Sequence, residues 1–201
     1  HLSHAASAFY ASPFLDAAIL TIDAVGEWAT SSIAIGSGNK IEIKEEINFP
    51  HSIGLLYSSF TYFCGFEVNS GEYKLMGLAP YGKPIFKEKI LKNLIFIKQD
   101  GSFRLNMKYF NYCTGFTMTN KNFDNLFNSK PRGKNDKINQ FHMDLASSIQ
   151  SVTEDIIILI CKHIKNKYKS KNLCLAGGVA LNCVANGKII NKKSLIEYGY
   201  N

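Results

Sequence analysis

The sequence lacks the features that mark several classes of protein. It has no run of about 18 apolar residues, and the apolar residues 5–11 have neither the basic flank nor the cleavage pattern of a signal peptide. Its five cysteines are odd in number and form no CxxC pair, which argues against a disulfide framework and a structural zinc site. We therefore expect reduced thiols, no membrane partner and a cytoplasmic setting.

Arginine is also scarce, since the 23 basic residues include only Arg104 and Arg132. The net charge of +7 therefore comes from lysines spread along the chain. Phosphate recognition favours the bidentate guanidinium group, so a diffuse lysine excess is weak evidence for nucleic-acid binding. We expect a solvated basic face and no nucleic-acid partner.

The remaining composition is that of a globular protein. Of the 201 residues, 46% are hydrophobic and 19% are charged, which is enough apolar material for one sizeable core or two small lobes. The first residue, His1, already lies inside an apparent motif. We therefore expect the chain to be a piece of a longer protein.

The apolar pattern predicts an α/β fold. Three strands are expected at 18–23, 29–35 and 41–47, and the glycine-rich turn between the last two indicates an antiparallel meander. Helical spacing is found at 52–66, with Gly65 as a stop signal, in a short segment that begins near residue 70, and at 84–94. A second hairpin is expected at 94–107.

The second half of the chain begins with a polar stretch. We predict a first lobe portion over 1–111, a loop-rich connection over 112–137, and the start of a second lobe portion over 138–201. A long helix at 138–168 leads into a short buried strand at 172–175. A glycine pair and a further helix follow this strand.

The first candidate site residues lie near the start of the chain. Asp23 ends a predicted strand beside a glycine-containing turn, where a carboxylate can reach a metal; an Asx-turn at a hairpin is the plain alternative. His1 and His4 are three residues apart, which in a helix places both imidazoles on one face, suited to iron or zinc. By spacing alone, exposed or capping histidines remain the alternative.

Two further segments are candidates for nucleotide binding. Glu72 and Lys74 lie at a turn that enters a helix, where Lys74 could meet phosphate and Glu72 could bind ribose hydroxyls. An ordinary helix start with an acidic first turn explains them equally. Gly177 and Gly178 join a strand to a helix that carries Asn182, an arrangement that leaves room for a nucleotide or serves only close packing.

Five segments in order resemble the carbamoyltransferase family that includes nodulation-factor and antibiotic O-carbamoyltransferases. The segments are residues 1–9, 23–30, 49–57, 68–82 and 175–187. This family's first domain is similar to the transferase that builds threonylcarbamoyladenosine in tRNA. The resemblance implies a partial actin, sugar-kinase and heat-shock-ATPase-like (ribonuclease H-like) fold.

The resemblance also implies a reaction. A C-terminal domain, absent from this chain, would convert carbamoyl phosphate and ATP into carbamoyl-adenylate. The present domain would transfer the carbamoyl group to a hydroxyl of a small-molecule acceptor, a sugar or a natural product, with a divalent metal as cofactor. The isolated chain is expected to be inactive.

Matching the family's motifs residue by residue gives the candidate site. His4 matches the second histidine of an HxxxH metal pair and Asp23 matches a ligand aspartate. The first histidine of the pair falls before residue 1, so His1 is implied to be its neighbour and not a ligand. The nucleotide positions are given by Glu72, Gly177, Gly178 and Asn182, with Lys74 as a further candidate. No catalytic residue is implied.

Two other functions stay open. An ATP-dependent kinase or ATPase of the same fold would carry a glycine-rich phosphate loop after the first strand, and residues 23–27 do not supply one convincingly. A non-catalytic nucleotide-binding or tRNA-binding module would use the basic charge. Salt-sensitive RNA binding would favour this second alternative.

Overall fold

The computed structural model describes residues 1–191 and 197–199. Within it the chain forms two compact units. The first contains residues 1–54, 98–102 and the chain from 154 onward, and the second contains residues 55–97 and 103–153. The units interleave along the sequence, and the sequential lobe division stays a prediction.

The elements alternate as expected for a mixed α/β protein. The strands are β1 Asp16–Ile22, β2 Ala29–Ser37, β3 Lys40–Asn48, β4 Ile95–Ile97, β5 Phe103–Leu105, β6 Asn172–Ala176 and β7 Glu197–Gly199. The helices are α1 Leu2–Tyr10, α2 Ile53–Phe63, α3 Glu72–Leu78, α4 Lys87–Asn93, α5 Lys121–Phe127, α6 Gln140–Tyr168 and α7 Cys183–Asn191. None of the helices in the described part of the chain could cross a membrane.

The first unit is built on a five-stranded sheet in the order β3-β2-β1-β6-β7. β1, β2 and β3 form the predicted antiparallel meander. β6 pairs with β1 in parallel, and β7 pairs with β6 in parallel. Because parallel strands end at the same edge of a sheet, the loops that follow β1 and β6 are neighbours.

The strand alternation gives this sheet two different faces. On one face, Ala5 and Phe9 of α1 pack against Ile19, Ala34 and Cys174. This packing fixes α1, and therefore the start of the chain, against the sheet.

The second unit has an aromatic core. Phe60 and Phe63 of α2 contact Phe123 and Phe127 of α5, with ring centroids 4.9 to 6.0 Å apart. α2 ends as predicted near Gly65, which has a positive φ of 74°. β4 and β5 form the predicted second hairpin.

Helix α5 lies inside the stretch that the sequence marked as loop-rich. The Asn120 side chain accepts a hydrogen bond from the Asn122 N–H at its start, and Asn128 ends it in a left-handed conformation. Phe123 and Phe127 are four residues apart and both are buried. That spacing, between two asparagine caps, is the signal that could have identified the helix.

Candidate functional site

Asp23 lies directly after β1, with one carboxylate oxygen fixed by its own turn. Oδ1 accepts a hydrogen bond of 2.8 Å from the Ala24 N–H, and the Asp23 carbonyl accepts one of 3.0 Å from the Ser52 hydroxyl. An Asx-turn would need a bond from the N–H two residues on, so this bond between adjacent residues is a more local contact. It leaves Oδ2 directed toward His4, whose Nδ1 is 3.5 Å away.

His4 and His1 reach Asp23 from the first turn of α1. The imidazole centroids of His1 and His4 are 6.2 Å apart. One donor atom from each of His1, His4 and Asp23 can be chosen so that all three lie within 4.8 Å of one another. Both ring nitrogens of His1 are buried and have no hydrogen-bond partner among the described residues.

This set of side chains fits a divalent transition metal. Two imidazoles and one carboxylate are common donors for zinc and iron, and an unpaired buried imidazole is costly unless something binds it. The proximity of His4 and Asp23 follows the sequence prediction. His1 lies within the same group of donor atoms. The family motif, by contrast, implies that His1 is the neighbour of a ligand and not a ligand itself. The identity of the ligands stays a prediction.

The glycine pair after β6 lies against the end of β1. Gly177 has a φ of +94°, and a Cβ on it would lie 2.3 Å from the Ile22 carbonyl oxygen, so only glycine fits. A Cβ on Gly178 would lie 3.2 Å from Asp23 Oδ1. The glycine segment and the histidine–aspartate group therefore share one edge of the sheet.

Asn182 caps a helix, where the sequence analysis placed it within one. Residues Gly178–Leu181 form a 3-10 turn, and α7 starts after Asn182. The buried Asn182 side chain accepts a hydrogen bond of 3.0 Å from the Ala185 N–H. An asparagine cap before a helix is a frequent local preference, so this contact supports the structural alternative for Asn182.

Glu72 and Lys74 lie in the second unit. Glu72 is the first residue of α3, and its Oε1 accepts hydrogen bonds from the Ser58 hydroxyl at 2.7 Å and from the Asn69 N–H at 3.1 Å. Lys74 is exposed, and its Nζ lies 5.8 Å from the centroid of the Tyr73 ring. These contacts are those of an ordinary helix start. The expected cleft that Glu72 would share with Asn182 stays a prediction.

Two further glycines support the site: Gly26, in the turn after Asp23 where a glycine was expected to let a ligand approach the backbone, and Gly54, which had no predicted role. A Cβ on Gly26 would lie 3.3 Å from the His1 ring, and a Cβ on Gly54 would lie 2.6 Å from the Ala24 backbone. The loop after β1 is thus held between the start of α1 and the start of α2. Gly54 belongs to the matching segment 49–57, which could have indicated this role.

Comparison of the sequence with known proteins identifies its family. The family model described as "Carbamoyltransferase N-terminus" matches residues 1–197. An uncharacterized protein of Synechocystis, sll1178, is 57% identical over 96% of this chain and 31% of its own length.

Two similar relatives are nodulation proteins. NolNO of Sinorhizobium fredii is 37% identical over 94% of this chain and 26% of its own length, and NolO of Bradyrhizobium diazoefficiens is 32% identical over 94% and 32%. This chain therefore spans less than a third of the length of these relatives. The match to the family model over nearly the whole sequence shows that the protein belongs to the carbamoyltransferase N-terminus family.

Proposed function

We propose that this chain is the part of an O-carbamoyltransferase that holds a divalent metal and an adenine nucleotide. The observation that carries the proposal is the meeting of His4, Asp23 and Gly178 at one edge of the sheet. Ligands of α/β proteins commonly bind outside the carboxyl ends of parallel strands, at the point where the sheet order changes direction. β1 and β6 form such a point.

The reaction we propose is transfer of a carbamoyl group from carbamoyl-adenylate to a hydroxyl of a sugar or natural product. Carbamoyl phosphate and ATP would supply this donor in a further domain. The glycine pair offers backbone N–H groups without side chains in the way, which suits the phosphate of an adenylate. The antiparallel meander beside a parallel pair fits the actin-like fold that we propose for the domain.

His4 and Asp23 are the side chains that would hold the metal, with His1 as a third donor in this chain. Iron is our first expectation and zinc the second. A bound divalent ion would polarise the carbonyl of the carbamoyl group. The turn that fixes Asp23 Oδ1 keeps Oδ2 oriented toward His4, so the residues need little rearrangement to bind.

A metal titration tests the site. We expect the chain to bind one cobalt or zinc ion weakly. Catalytic sites usually offer at least three protein donors, and in this chain the third donor is His1, which the family motif does not make a ligand. His4→Ala and Asp23→Asn should each weaken binding about tenfold or more, measured by cobalt absorption and competition with a chelating dye.

Asp16→Asn is the matched control, since Asp16 is exposed at the opposite end of the same strand. His1→Ala decides whether His1 is a donor or a neighbour. Equal metal affinity in the His4, Asp23 and Asp16 variants would contradict the assignment.

A further inference from the structure

The loop 23–30, which begins at Asp23, is tied at both ends to the segment that leads into α2. At the far end of the loop, the buried Thr30 hydroxyl donates a hydrogen bond of 2.6 Å to the His51 carbonyl. At the near end, the buried Ser52 hydroxyl donates one of 3.0 Å to the Asp23 carbonyl. The two ends are also joined directly, because the Asp23 N–H donates to the Thr30 carbonyl at 2.9 Å. These bonds form a closed ring at the base of the loop.

The peptide group between Asp23 and Ala24 links this ring to the Asp23 side chain. Its carbonyl accepts the hydrogen bond from Ser52, and its N–H donates to Oδ1 of the Asp23 carboxylate at 2.8 Å. A peptide group is planar, so the directions of its carbonyl and its N–H are coupled. The contact that fixes the carbonyl therefore also fixes the N–H, and with it the position of Oδ1.

Gly54, in the first turn of α2, packs against the same peptide group. A Cβ on Gly54 would lie 2.6 Å from the Ala24 nitrogen and 2.7 Å from the Asp23 carbonyl oxygen. Both distances are too short for a carbon atom, so any side chain at residue 54 would displace this peptide. The start of α2 thus holds the Asp23–Ala24 peptide both by a hydrogen bond and by close packing.

The orientation of this peptide decides where the second carboxylate oxygen lies. With Oδ1 held by the Ala24 N–H, Oδ2 lies 3.5 Å from Nδ1 of His4. Ser52 is 0% exposed, so removing its hydroxyl would leave a space too small for a water molecule to replace it. Without that hydroxyl the peptide would turn more freely, and Oδ2 would face His4 for less of the time.

We propose that Ser52 is a positioning residue for the metal at His4 and Asp23. It acts through the Asp23–Ala24 peptide and orients the carboxylate before an ion binds. Groups that orient a metal ligand in this way commonly change metal affinity although they contribute no donor atom. The inference rests on the proposed function, because it requires the metal at His4 and Asp23.

The test measures cobalt affinity of the 201-residue chain by absorption and by competition with a chelating dye. Ser52→Ala should weaken binding about fivefold, the effect of one lost hydrogen bond, and Ser52→Thr should stay within about twofold because it keeps the hydroxyl. Ser59→Ala is the matched control, since Ser59 is also buried in α2 and donates to a backbone carbonyl, that of Leu55. Its cobalt affinity should not change.

A second variant reaches the same peptide by a different physical cause. Gly54→Ala should weaken cobalt binding about fivefold or more, because the new methyl group displaces the Ala24 backbone. Gly187→Ala is its control, since no atom lies within 4 Å of the Cβ that it would add in α7. Circular dichroism and urea unfolding establish the folded fraction of each variant, and affinities are compared for folded protein.

Amide hydrogen exchange, followed by NMR without metal, separates positioning from general stability. Ser52→Ala should speed exchange of the Ala24 N–H about fivefold and leave the amides of β1 unchanged. Unchanged cobalt affinity in Ser52→Ala, or faster exchange throughout β1, would overturn the proposal. Failure of the proposed function looks different: the unaltered chain would then bind no metal at His4 and Asp23, and faster exchange at Ala24 would still show that Ser52 holds the carboxylate.

Discussion

Gly82 illustrates how a single residue can be fixed by its surroundings. A Cβ on Gly82 would lie 2.0 Å from the Met143 carbonyl oxygen, in the backbone of α6. Beside it, the Asp144 carboxylate accepts hydrogen bonds from the Lys83 N–H at 2.8 Å and from Gln140 at 2.9 Å. The chain after α3 is therefore held in direct backbone contact with the helix.

We expect Gly82→Ala to lower the free energy of unfolding of the second unit by about 2 kcal/mol or more, because one of two backbone segments must move. Gly77→Ala is the matched control, since Gly77 lies within α3 with no atom within 4 Å of its would-be Cβ. That change should raise the free energy by about 0.5 to 1 kcal/mol, as alanine favours a helix over glycine. Urea unfolding measures both. Loss of equal size in the two variants would contradict the steric explanation.

For single residues, the sequence predicted which residues lie at the candidate site better than what each of them does there. The motif around His4 and the aspartate after β1 were enough to place Asp23 beside His4, because a strand end and a helix turn are local features. The role of Asn182 was less accessible. A helix cap and a nucleotide ligand both favour asparagine after a glycine turn; the hydrogen bond from the Ala185 N–H shows the cap, and the nucleotide role stays a prediction.

Among the elements, α2 depends on a side chain from far along the sequence. The Arg132 guanidinium donates to the Cys64 carbonyl at 2.7 Å and to the Gly65 carbonyl at 3.2 Å, just past the end of the helix. It also donates to the carbonyls of Gly133 and Asp136 in its own loop. One planar group thus joins a helix end to the loop that follows α5.

We expect Arg132→Lys to lower the free energy of unfolding of the second unit by about 2 kcal/mol, because a single ammonium group cannot reach acceptors on both sides of the guanidinium. Arg104→Lys, at the exposed middle residue of β5, changes the same chemistry without those contacts and should stay within about 0.5 kcal/mol. Chemical denaturation monitored by circular dichroism compares the free energies of unfolding of the two variants. Identical midpoints would show that the loop does not depend on the arginine.

The meander and the long helix were predictable because alternation and helical spacing persist over many residues. Helix α5 was not predicted, because asparagine and lysine dominate its segment and only Phe123 and Phe127 mark a buried face. The pairing of β6 with β1 was also missed. Nothing in the local pattern of residues 172–175 says which strand will be its neighbour.

At the scale of the whole molecule, the relatives are much longer than this chain. The chain spans less than a third of the relatives described above. A site for transfer must exclude water and hold both substrates, and we expect the remaining two thirds of such proteins to contribute to it.

On the proposed function, we expect the 201-residue chain alone to transfer no carbamoyl group and a protein of the full length of the Synechocystis relative to transfer it. The assay supplies synthetic carbamoyl-adenylate, ferrous ion and a polyhydroxylated acceptor, and mass spectrometry detects the carbamoylated product. Turnover by the chain at the rate of the relative would show that the additional sequence is dispensable for transfer.

The parallel pairing of β1 with β6 has a consequence for how the protein is made. Ala18 of β1 donates a hydrogen bond to the Ser170 hydroxyl, 152 residues later in the chain. At about 5 to 20 residues per second of synthesis, β1 waits roughly 8 to 30 s on the ribosome with one edge unpaired. The backbone N–H and C=O groups of this edge are then unpaired, which makes the strand a favourable template for association with other chains. A nascent-chain chaperone that covers this edge would protect the protein during its synthesis.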